Sequence, residues 1–286
     1  MKLSIAIADT NALFNAYVVF RGFEKYIPVA AAMGYDGVEI AIKRAEEIHP
    51  ARLNRLLADT NMAVSCISTG QVYADGGLNF TDADAAKRSR LKSVFRDIID
   101  LASEFGGLVN IGRVRGSIVD KEKNEAFDLF VEMLSGLSTY AQEKGVTLLL
   151  EPVNRYEIDF VHTVEEGALL LETINLPNLK LMPDTFHMNI EDKQIGSELY
   201  RWSKHIGYIH LADSNRLAPG QGHIDFGDVF DHLQKARYNG WVSVEILPKP
   251  NPEKAAQQAI DFLRPYLLSS VSASIPALHH TIKQHD

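Results

Sequence analysis

The sequence contains only one cysteine, Cys66, among its 286 residues. A single thiol cannot form an internal disulfide, and it cannot supply a zinc or iron–sulfur site that is built from several cysteines. Positive charge is also in short supply, because 29 lysines and arginines stand against 37 aspartates and glutamates, a formal net charge of −8. A chain this acidic has no basic surface for a nucleic-acid backbone or an anionic membrane, so neither is an expected partner.

Long apolar runs are missing as well. The apolar stretch at residues 1–9 is too short for a secretory signal peptide, and no run approaches the length of a membrane span. We therefore predict a protein of the reducing cytoplasm. The apolar content of 46% is nevertheless too high for a disordered chain and sufficient to fill a sizeable core.

Short runs rich in leucine and β-branched residues alternate with helical patterns along the chain. This alternation is typical of βαβ units around a parallel sheet. The clearest helical pattern covers residues 91–105, where apolar side chains recur every three or four positions. Eight strands are predicted, at residues 3–8, 37–40, 63–67, 108–111, 147–151, 179–182, 207–210 and 242–245.

The connections between these elements differ in length. A glycine often stands between a helical pattern and the next strand, as at Gly106 and Gly240, which indicates a short turn. The connections from strand to helix are longer, as at residues 68–80 and 211–225. This asymmetry is typical of a single (β/α)8 TIM barrel whose site lies on the long-loop face. A doubly wound open sheet is the alternative fold, although no GxGxxG motif follows the first strand.

No low-complexity linker divides the chain. We therefore predict one barrel domain at residues 1–268, with its last helix at residues 252–268. The serine-rich segment 269–286 has no place in the barrel pattern. It is predicted to be a C-terminal extension, either a helix that covers the barrel or a partner subunit, or a mobile tail.

Four polar residues stand at the ends of the last four predicted strands: Glu151, Asp184, His210 and Glu245. They are 33, 26 and 35 residues apart, about one βα unit each, so a barrel would bring them together at one end. Three carboxylates placed there need a cation, because an unpaired buried carboxylate is costly. Oxygen ligands with one imidazole favour Mn²⁺, Mg²⁺ or Co²⁺ over structural zinc. For each residue alone, a helix cap or an ion pair with arginine is the alternative.

The sequence around these residues is recognisable. The segments 151–157 (EPVNRYE), 184–189 (DTFHMN), 210–216 (HLADSNR) and 244–245 (VE) resemble the xylose-isomerase-like sugar isomerase/epimerase superfamily. The nearest group is the D-tagatose/D-psicose 3-epimerase family, with its 5-keto-L-gluconate epimerase-like relatives. The likeness covers residues 1–268, and the specific motifs lie in its second half.

The resemblance implies four ligands for one divalent ion: Glu151, Asp184, His210 and Glu245. Mn²⁺ is the expected metal, with Mg²⁺ or Co²⁺ as alternatives. Glu151 and Glu245 would also form the catalytic acid/base pair. Glu157, His187 and Arg216 match positions that hold the substrate beside its carbonyl group. A homodimer or homotetramer is implied as well.

These roles agree with the chemistry of a 3-epimerase. Epimerising a ketose at C3 removes a weakly acidic proton next to the C2 carbonyl and returns a proton to the opposite face. A metal on O2 and O3 stabilises the enediolate, and two carboxylates on opposite sides move the protons. The guanidinium of Arg216 stays charged at any working pH and suits the developing oxyanion. We therefore expect an isomerase acting on a ketohexose or a keto-sugar acid.

Two further residues, Arg115 and Cys66, are predicted to contact the substrate. Arg115 follows the fourth strand, as does Arg113, and it is assigned to an anionic group of a sugar acid. Pairing with local acidic residues is the alternative for it. Cys66 ends the third strand and is predicted to line the sugar pocket, with burial as a small apolar side chain as the alternative.

Other activities of similar barrels stay open at this point. An aldose–ketose isomerase of the hydroxypyruvate or xylose isomerase type uses the same enediol between C1 and C2. A lyase of the inosose or dehydroshikimate dehydratase type expels a β-hydroxyl from the same enolate. A catalytically silent sugar-binding protein is a third alternative. A DNA-repair nuclease is disfavoured, because Cys66 and Asn110 stand where such enzymes carry histidine ligands and the charge of −8 repels phosphates.

Overall fold

The fold is described from a computed structural model, which defines residues 1–13, 16–118 and 123–272. Parallel strands are its central feature. The strands are β1 (Lys2–Ala8), β2 (Phe20–Arg21), β3 (Gly37–Ala41), β4 (Ala63–Ser68), β5 (Leu108–Ile111), β6 (Thr147–Leu150), β7 (Leu179–Leu181), β8 (Tyr208–Leu211) and β9 (Trp241–Val244).

These strands form a nearly closed ring. Hydrogen-bonded neighbours follow the order β7-β6-β5-β4-β3-β1-β9-β8, and the two-residue β2 lies off this path beside β1. Between β7 and β8, the defined residues form two isolated bridges, Leu181 with Ile206 and Asp184 with His210. The predicted eight-stranded barrel is therefore confirmed. An open doubly wound sheet is excluded, because its two edge strands would not meet.

Helices connect the strands and cover the outside of the barrel. They are α1 (Phe23–Met33), α2 (Pro50–Thr60), α3 (Gly70–Gly76), α4 (Ala85–Glu104), α5 (Lys123–Glu143), α6 (Val164–Ile174), α7 (Thr185–Glu191), α8 (Ile195–Arg201), α9 (Phe226–Lys235) and α10 (Pro252–Ser272). Each long helix packs one apolar side on the sheet. In α9 this side consists of Phe226, Val229, Phe230 and Leu233, at the spacing of an amphipathic helix.

The barrel interior is packed with side chains and is not a pore. Cys66, Leu149, Met182 and Tyr208 form a small buried cluster there. Buried polar side chains occur beside this cluster, among them Glu39 on β3. A filled interior leaves the carboxyl ends of the strands as the place where a ligand can reach the barrel.

The predicted elements agree closely with the observed ones. All eight predicted strands are present, and each end differs by one residue at most. The helix predicted at residues 252–268 extends to Ser272, whereas residues 273–286 lie outside the defined part, so the C-terminal extension stays a prediction. Within the defined part, no helix combines the length and the apolar character required to cross a membrane.

Candidate active site and metal centre

The barrel brings the four predicted metal ligands together at the carboxyl ends of its strands. Glu151 directly follows β6, Glu245 directly follows β9, and His210 lies within β8. Asp184 caps the N-terminus of α7, where its Oδ1 accepts the backbone N–H of Phe186 at 2.8 Å. One ligand atom from each of the four residues lies within 4.8 Å of the other three.

The donor set of this centre fits one divalent ion. His210 Nδ1 lies 3.3 Å from Glu151 Oε1 and 3.6 Å from Glu245 Oε2. Its distance to Asp184 Oδ2 is 3.9 Å. Carboxylates this close repel one another unless positive charge lies between them. Three oxygen donors and one imidazole nitrogen therefore offer a hard divalent cation both its preferred ligands and the charge that it needs.

Arg216 provides positive charge beside these carboxylates. One terminal guanidinium nitrogen donates to Asp184 Oδ2 at 2.5 Å, and the other donates to Glu245 Oε2. The guanidinium also lies 4.7 Å from the ring centre of Tyr17 and 4.9 Å from that of Phe186. Two aromatic rings thus hold the guanidinium against the ligand set, through contacts of the cation–π type.

The two glutamates of the centre retain their protons to different extents. Burial raises the pKa of Glu245 to about 8, although the positive charges of His210 and Arg216 oppose this effect. Burial acts in the same direction on Glu151, but the hydrogen bond and the charge of His210 outweigh it and lower its pKa to about 2. The charge of His210 therefore favours the ionised form of Glu151, whereas burial favours the protonated form of Glu245.

His187 is held as a neutral ring beside the ligands. Asn154 Oδ1 accepts the backbone N–H of Tyr156 at 3.0 Å, which directs the Asn154 Nδ2 group to His187 Nδ1, 2.7 Å away. Nδ1 is therefore an acceptor, and Nε2 carries the hydrogen. Burial lowers the pKa of His187. Its Nε2 lies 3.9 Å from Glu151 Oε1, so a neutral N–H donor points towards the centre.

A cavity that opens to solvent adjoins the ligand set. Its wall includes three residues that the sequence assigned to the substrate: Glu157, His187 and Arg216. Glu157 Oε1 accepts a hydrogen bond from Asn154 at 3.0 Å, and its Oε2 lies 3.5 Å from Arg113. The cavity therefore offers both donors and acceptors to a polyhydroxylated ligand.

Cys66 does not belong to the cavity wall, contrary to its predicted place in the sugar pocket. The side chain is fully buried inside the barrel, in the cluster with Leu149, Met182 and Tyr208. Burial also raises the pKa of the Cys66 thiol. The alternative interpretation, a small buried apolar side chain, describes this residue.

Arg115 also lies outside the cavity wall, which corrects its assignment to an anionic substrate group. Its fully buried guanidinium donates to backbone oxygens at 2.6–3.3 Å, those of Gly112, Glu151, Phe160 and Val161. Arg115 thereby ties the turn after β5 to the loop after β6. Arg113, two residues earlier, does line the cavity, and its side chain is 31% exposed.

Two polar contacts of the ligand set were missed from the sequence. Asn110 Nδ2 donates to Glu151 Oε2 at 3.2 Å. Glu39 Oε2 lies 2.9 Å from His210 Nε2, on the side of the ring that faces away from the other ligands. The available signal for Glu39 was a charged residue between Val38 and Ile40 in an otherwise apolar strand.

Comparisons with known proteins agree with this geometry. Residues 27–266 match a family described as xylose isomerase-like TIM barrel. The chain is 31% identical over 231 residues to an L-ribulose 3-epimerase of Methylomonas sp. strain DH-1, with 78% of each chain covered. It is 28% identical over 236 residues to a D-psicose 3-epimerase of Agrobacterium fabrum, again with 78% of each chain covered.

Solved structures show the same architecture. The crystal structure of a D-allulose 3-epimerase from Methylomonas sp. in complex with D-allulose matches with a TM-score of 0.78 at 26% identity. The match covers 93% of this chain and 98% of the other. The similar proteins are thus named as epimerases, a class of isomerase.

Proposed function

The chain belongs to the xylose isomerase-like TIM barrel family, and we propose that it is a divalent-metal-dependent 3-epimerase of a ketohexose or a keto-sugar acid. The observation that carries this proposal is the convergence of three carboxylates and one imidazole within 4.8 Å, beside a cavity that polar side chains line. The names of the relatives support the reaction type, because they describe ketose 3-epimerases.

The metal would be held by Glu151, Asp184, His210 and Glu245. A bound divalent ion supplies Lewis-acid stabilisation of the negative charge that develops on the substrate oxygens when the C3 proton leaves. Arg216 adds a fixed positive charge beside the same oxygens, and the neutral Nε2–H of His187 adds a hydrogen-bond donor. Glu157 would accept a hydrogen bond from a sugar hydroxyl.

The proton transfers are assigned to Glu151 and Glu245. Their strands, β6 and β9, are separated in the ring by β7 and β8, so the two carboxyl groups reach the cavity from different sides. One group can therefore remove the C3 proton while the other returns a proton to the opposite face. Reversal of the two roles gives the reverse reaction.

Arg113 is the residue that would select a keto-sugar acid over a neutral ketose. It lines the cavity, and its guanidinium has one loose ion pair, 3.5 Å from Glu157 Oε2. The ring centre of Tyr73 lies 5.9 Å from it. A carboxylate at the far end of an open-chain sugar could accept hydrogen bonds from this guanidinium, which is well suited to paired recognition of carboxylates.

Three finer parts of the proposal concern the ion, the assembly and the compartment. We favour Mn²⁺, with Mg²⁺ or Co²⁺ as alternatives, because three carboxylates and one imidazole suit these ions. A homodimer or homotetramer and a cytoplasmic location stay predictions. The proposed partner is a small sugar or sugar acid, and neither nucleic acid nor a membrane is expected.

The test is a panel of ketoses and keto-sugar acids incubated in D₂O with added Mn²⁺, with products identified by NMR. Deuterium at C3 of an epimerised product supports the proposal. Deuterium at C1 or C2 would instead indicate an aldose–ketose isomerase, and a dehydrated product would indicate a lyase. Binding of sugars without any turnover would point to a sugar-binding protein.

A further inference from the structure

Glu39 is a fully buried carboxylate in the middle of β3, and the proposed reaction does not use it. Its Oε1 and Oε2 lie 3.0 and 2.9 Å from His210 Nε2. A buried carboxylate is costly unless it accepts hydrogen bonds or pairs with positive charge. Its position against one ligand of the metal centre therefore calls for an explanation.

A chain of hydroxyl groups holds Glu39 in place. The hydroxyl of Tyr208 donates to Glu39 Oε2 at 3.1 Å. The hydroxyls of Ser4 and Ser65 lie 3.0 and 2.7 Å from the Tyr208 oxygen. Since the single Tyr208 proton goes to Glu39, both serines donate to Tyr208. The carboxylate is thus fixed by side chains from β1, β4 and β8, and its orientation towards His210 is built into the barrel.

The two nitrogens of His210 face different surroundings. Nδ1 faces the carboxylates of the metal centre, at 3.3 Å from Glu151 and 3.6 Å from Glu245. Nε2 faces Glu39 alone among the carboxylates that contact the ring. A neutral imidazole can bind a metal only through the nitrogen that lacks a hydrogen, so the position of that hydrogen decides whether His210 is a ligand.

We propose that Glu39 is a positioning residue that accepts the Nε2–H of His210 and thereby keeps Nδ1 free and directed at the metal site. This inference rests on the proposed function, because it assumes that His210 binds an ion. The carboxylate accepts hydrogen bonds only, so it is compatible with one arrangement of the ring hydrogen. Partners of this kind fix the ring orientation and increase the basicity of a metal-binding histidine.

Glu39→Gln is the most direct test of this role, because glutamine has the same shape as glutamate but can also donate hydrogen bonds. Its amide can accept from Nε2–H or donate to Nε2, so the ring hydrogen is no longer assigned to one nitrogen. We expect Mn²⁺ affinity, measured by calorimetry on chelator-treated protein, to fall about 10–100-fold. The circular dichroism spectrum should be unchanged. Glu47→Gln is the matched control, since Glu47 is a half-buried glutamate outside the barrel that accepts backbone N–H groups of Lys43 and Arg44.

A second measurement does not depend on metal binding. Long-range ¹H–¹⁵N correlation spectra of ¹⁵N-histidine-labelled, chelator-treated protein report which ring nitrogen carries the hydrogen. Burial lowers the pKa of His210, but the carboxylates around the ring outweigh it and raise that pKa, so the spectra are recorded at a pH above it, where the ring is neutral. There we expect a single Nε2–H form of His210 in the unsubstituted protein and a mixture in Glu39→Gln. If Glu39→Gln does not fold, Tyr208→Phe replaces it; loss of one donor to Glu39 should lower Mn²⁺ affinity in the same direction by a smaller factor.

Each outcome separates this inference from the proposed function. Unchanged Mn²⁺ affinity together with an unchanged ring hydrogen in Glu39→Gln would overturn the positioning role and leave the epimerase proposal standing. Failure of the unsubstituted protein to bind Mn²⁺, Mg²⁺ or Co²⁺ would overturn the proposed function. In that case an Nδ1–H form of His210 would overturn the role of Glu39 as well, and an Nε2–H form that depends on Glu39 would support it.

Discussion

The two halves of the barrel present different chemistry at the cavity. In the second half, Glu151, Asp184, His210 and Glu245 stand at or beside the ends of β6 to β9. In the first half, β1, β3, β4 and β5 end in Ala8, Ala41, Ser68 and Ile111. The second half thus holds the groups proposed to bind an ion and to move protons, whereas the first half supplies shape.

The first half nevertheless contributes to the site, because some of its polar residues contact the residues of the second half. Glu39 on β3 contacts His210, and Asn110 on β5 contacts Glu151. Arg115 fixes the backbone at the end of β6. This difference teaches that substitutions in the second half should alter turnover directly, whereas those in the first half should alter selectivity, metal affinity or stability.

The largest effect is expected in the second half, at Glu245. Glu245→Gln keeps the shape of the side chain but removes its capacity to exchange a proton. We expect kcat to fall about 10²–10⁴-fold, with substrate affinity largely retained. Steady-state kinetics and equilibrium binding of the same sugar check this result. Glu165→Gln on α6 is the control, because that partly exposed carboxylate pairs only with Arg201 among the ion pairs of the defined residues. Unchanged turnover in Glu245→Gln would exclude the acid/base assignment.

In the first half, Arg115 should matter for stability and not for substrate charge. Arg115→Met removes the side-chain donor of four backbone oxygens, of which those of Gly112 and Val161 keep a backbone N–H donor. We therefore expect the free energy of unfolding to fall by about 3 kcal/mol. Urea denaturation measures this loss. The predicted difference between the two halves would be wrong if the folded Arg115→Met variant lost affinity for keto-sugar acids but kept its affinity for neutral ketoses.

Arg113, only two residues away, should give the opposite pattern. Arg113→Ala removes a half-buried guanidinium from the cavity wall and leaves the backbone contacts of Arg115 in place. We expect the KM for a keto-sugar acid to rise about 10–100-fold, which corresponds to the loss of a hydrogen bond to a charged group. The KM for a neutral ketose should change little. Arg113→Lys, which keeps the charge, should restore part of the selectivity, and equal effects on both substrates would refute the assignment.

The smallest effect concerns Asp192, a carboxylate of the second half that lies away from the metal centre. One of its oxygens, Oδ2, is buried and has no hydrogen-bond partner in the defined part of the chain. Burial, together with the negative charges of Glu198, Glu166 and Glu191, raises its pKa to about 7. The folded state therefore binds a proton more tightly than the unfolded state, and the associated stability is lost as the pH rises from about 4 through about 7.

The Asp192→Asn variant carries a neutral side chain at every pH, so it does not lose stability through the ionisation of residue 192. We expect the variant to exceed the original protein in stability by about 1 kcal/mol at pH 8, and the difference to shrink towards pH 5. Urea denaturation at both pH values tests the sign. Asp231→Asn, at an exposed position on α9, serves as the control. A gain of equal size at both pH values would show that proton binding is not its cause.

The sequence was sufficient to predict the strands and the convergence of the four polar residues. Strand ends are visible because apolar runs stop at charged residues, as at Glu151 and Glu245. The spacing of one βα unit then determines that such residues meet. Even the short turns were largely correct: Gly106 adopts a φ of 77°, and a Cβ there would lie 2.4 Å from the Val64 oxygen.

Details that depend on side-chain direction could not be predicted. Arg113 and Arg115 are two positions apart in one short turn, and only the local backbone decides that one faces the cavity and the other faces carbonyl oxygens. Gly240 was predicted to mark the turn after the helix that precedes the last strand, but the positive φ of this turn, 54°, is at Arg237, two residues after the end of α9. Glu39 was overlooked because its partners come from strands that are distant in sequence.

The junction of β7 and β8 has a consequence for the mechanics of the ring. Within the defined residues these strands meet at two isolated bridges, and one of them pairs Asp184 with His210. An ion bound by both side chains would act as a clasp across this junction. Amide hydrogens near this joint, such as those of Gly207 and His210, which donate to Leu181 and Pro183, should then exchange with solvent more slowly once the clasp is closed.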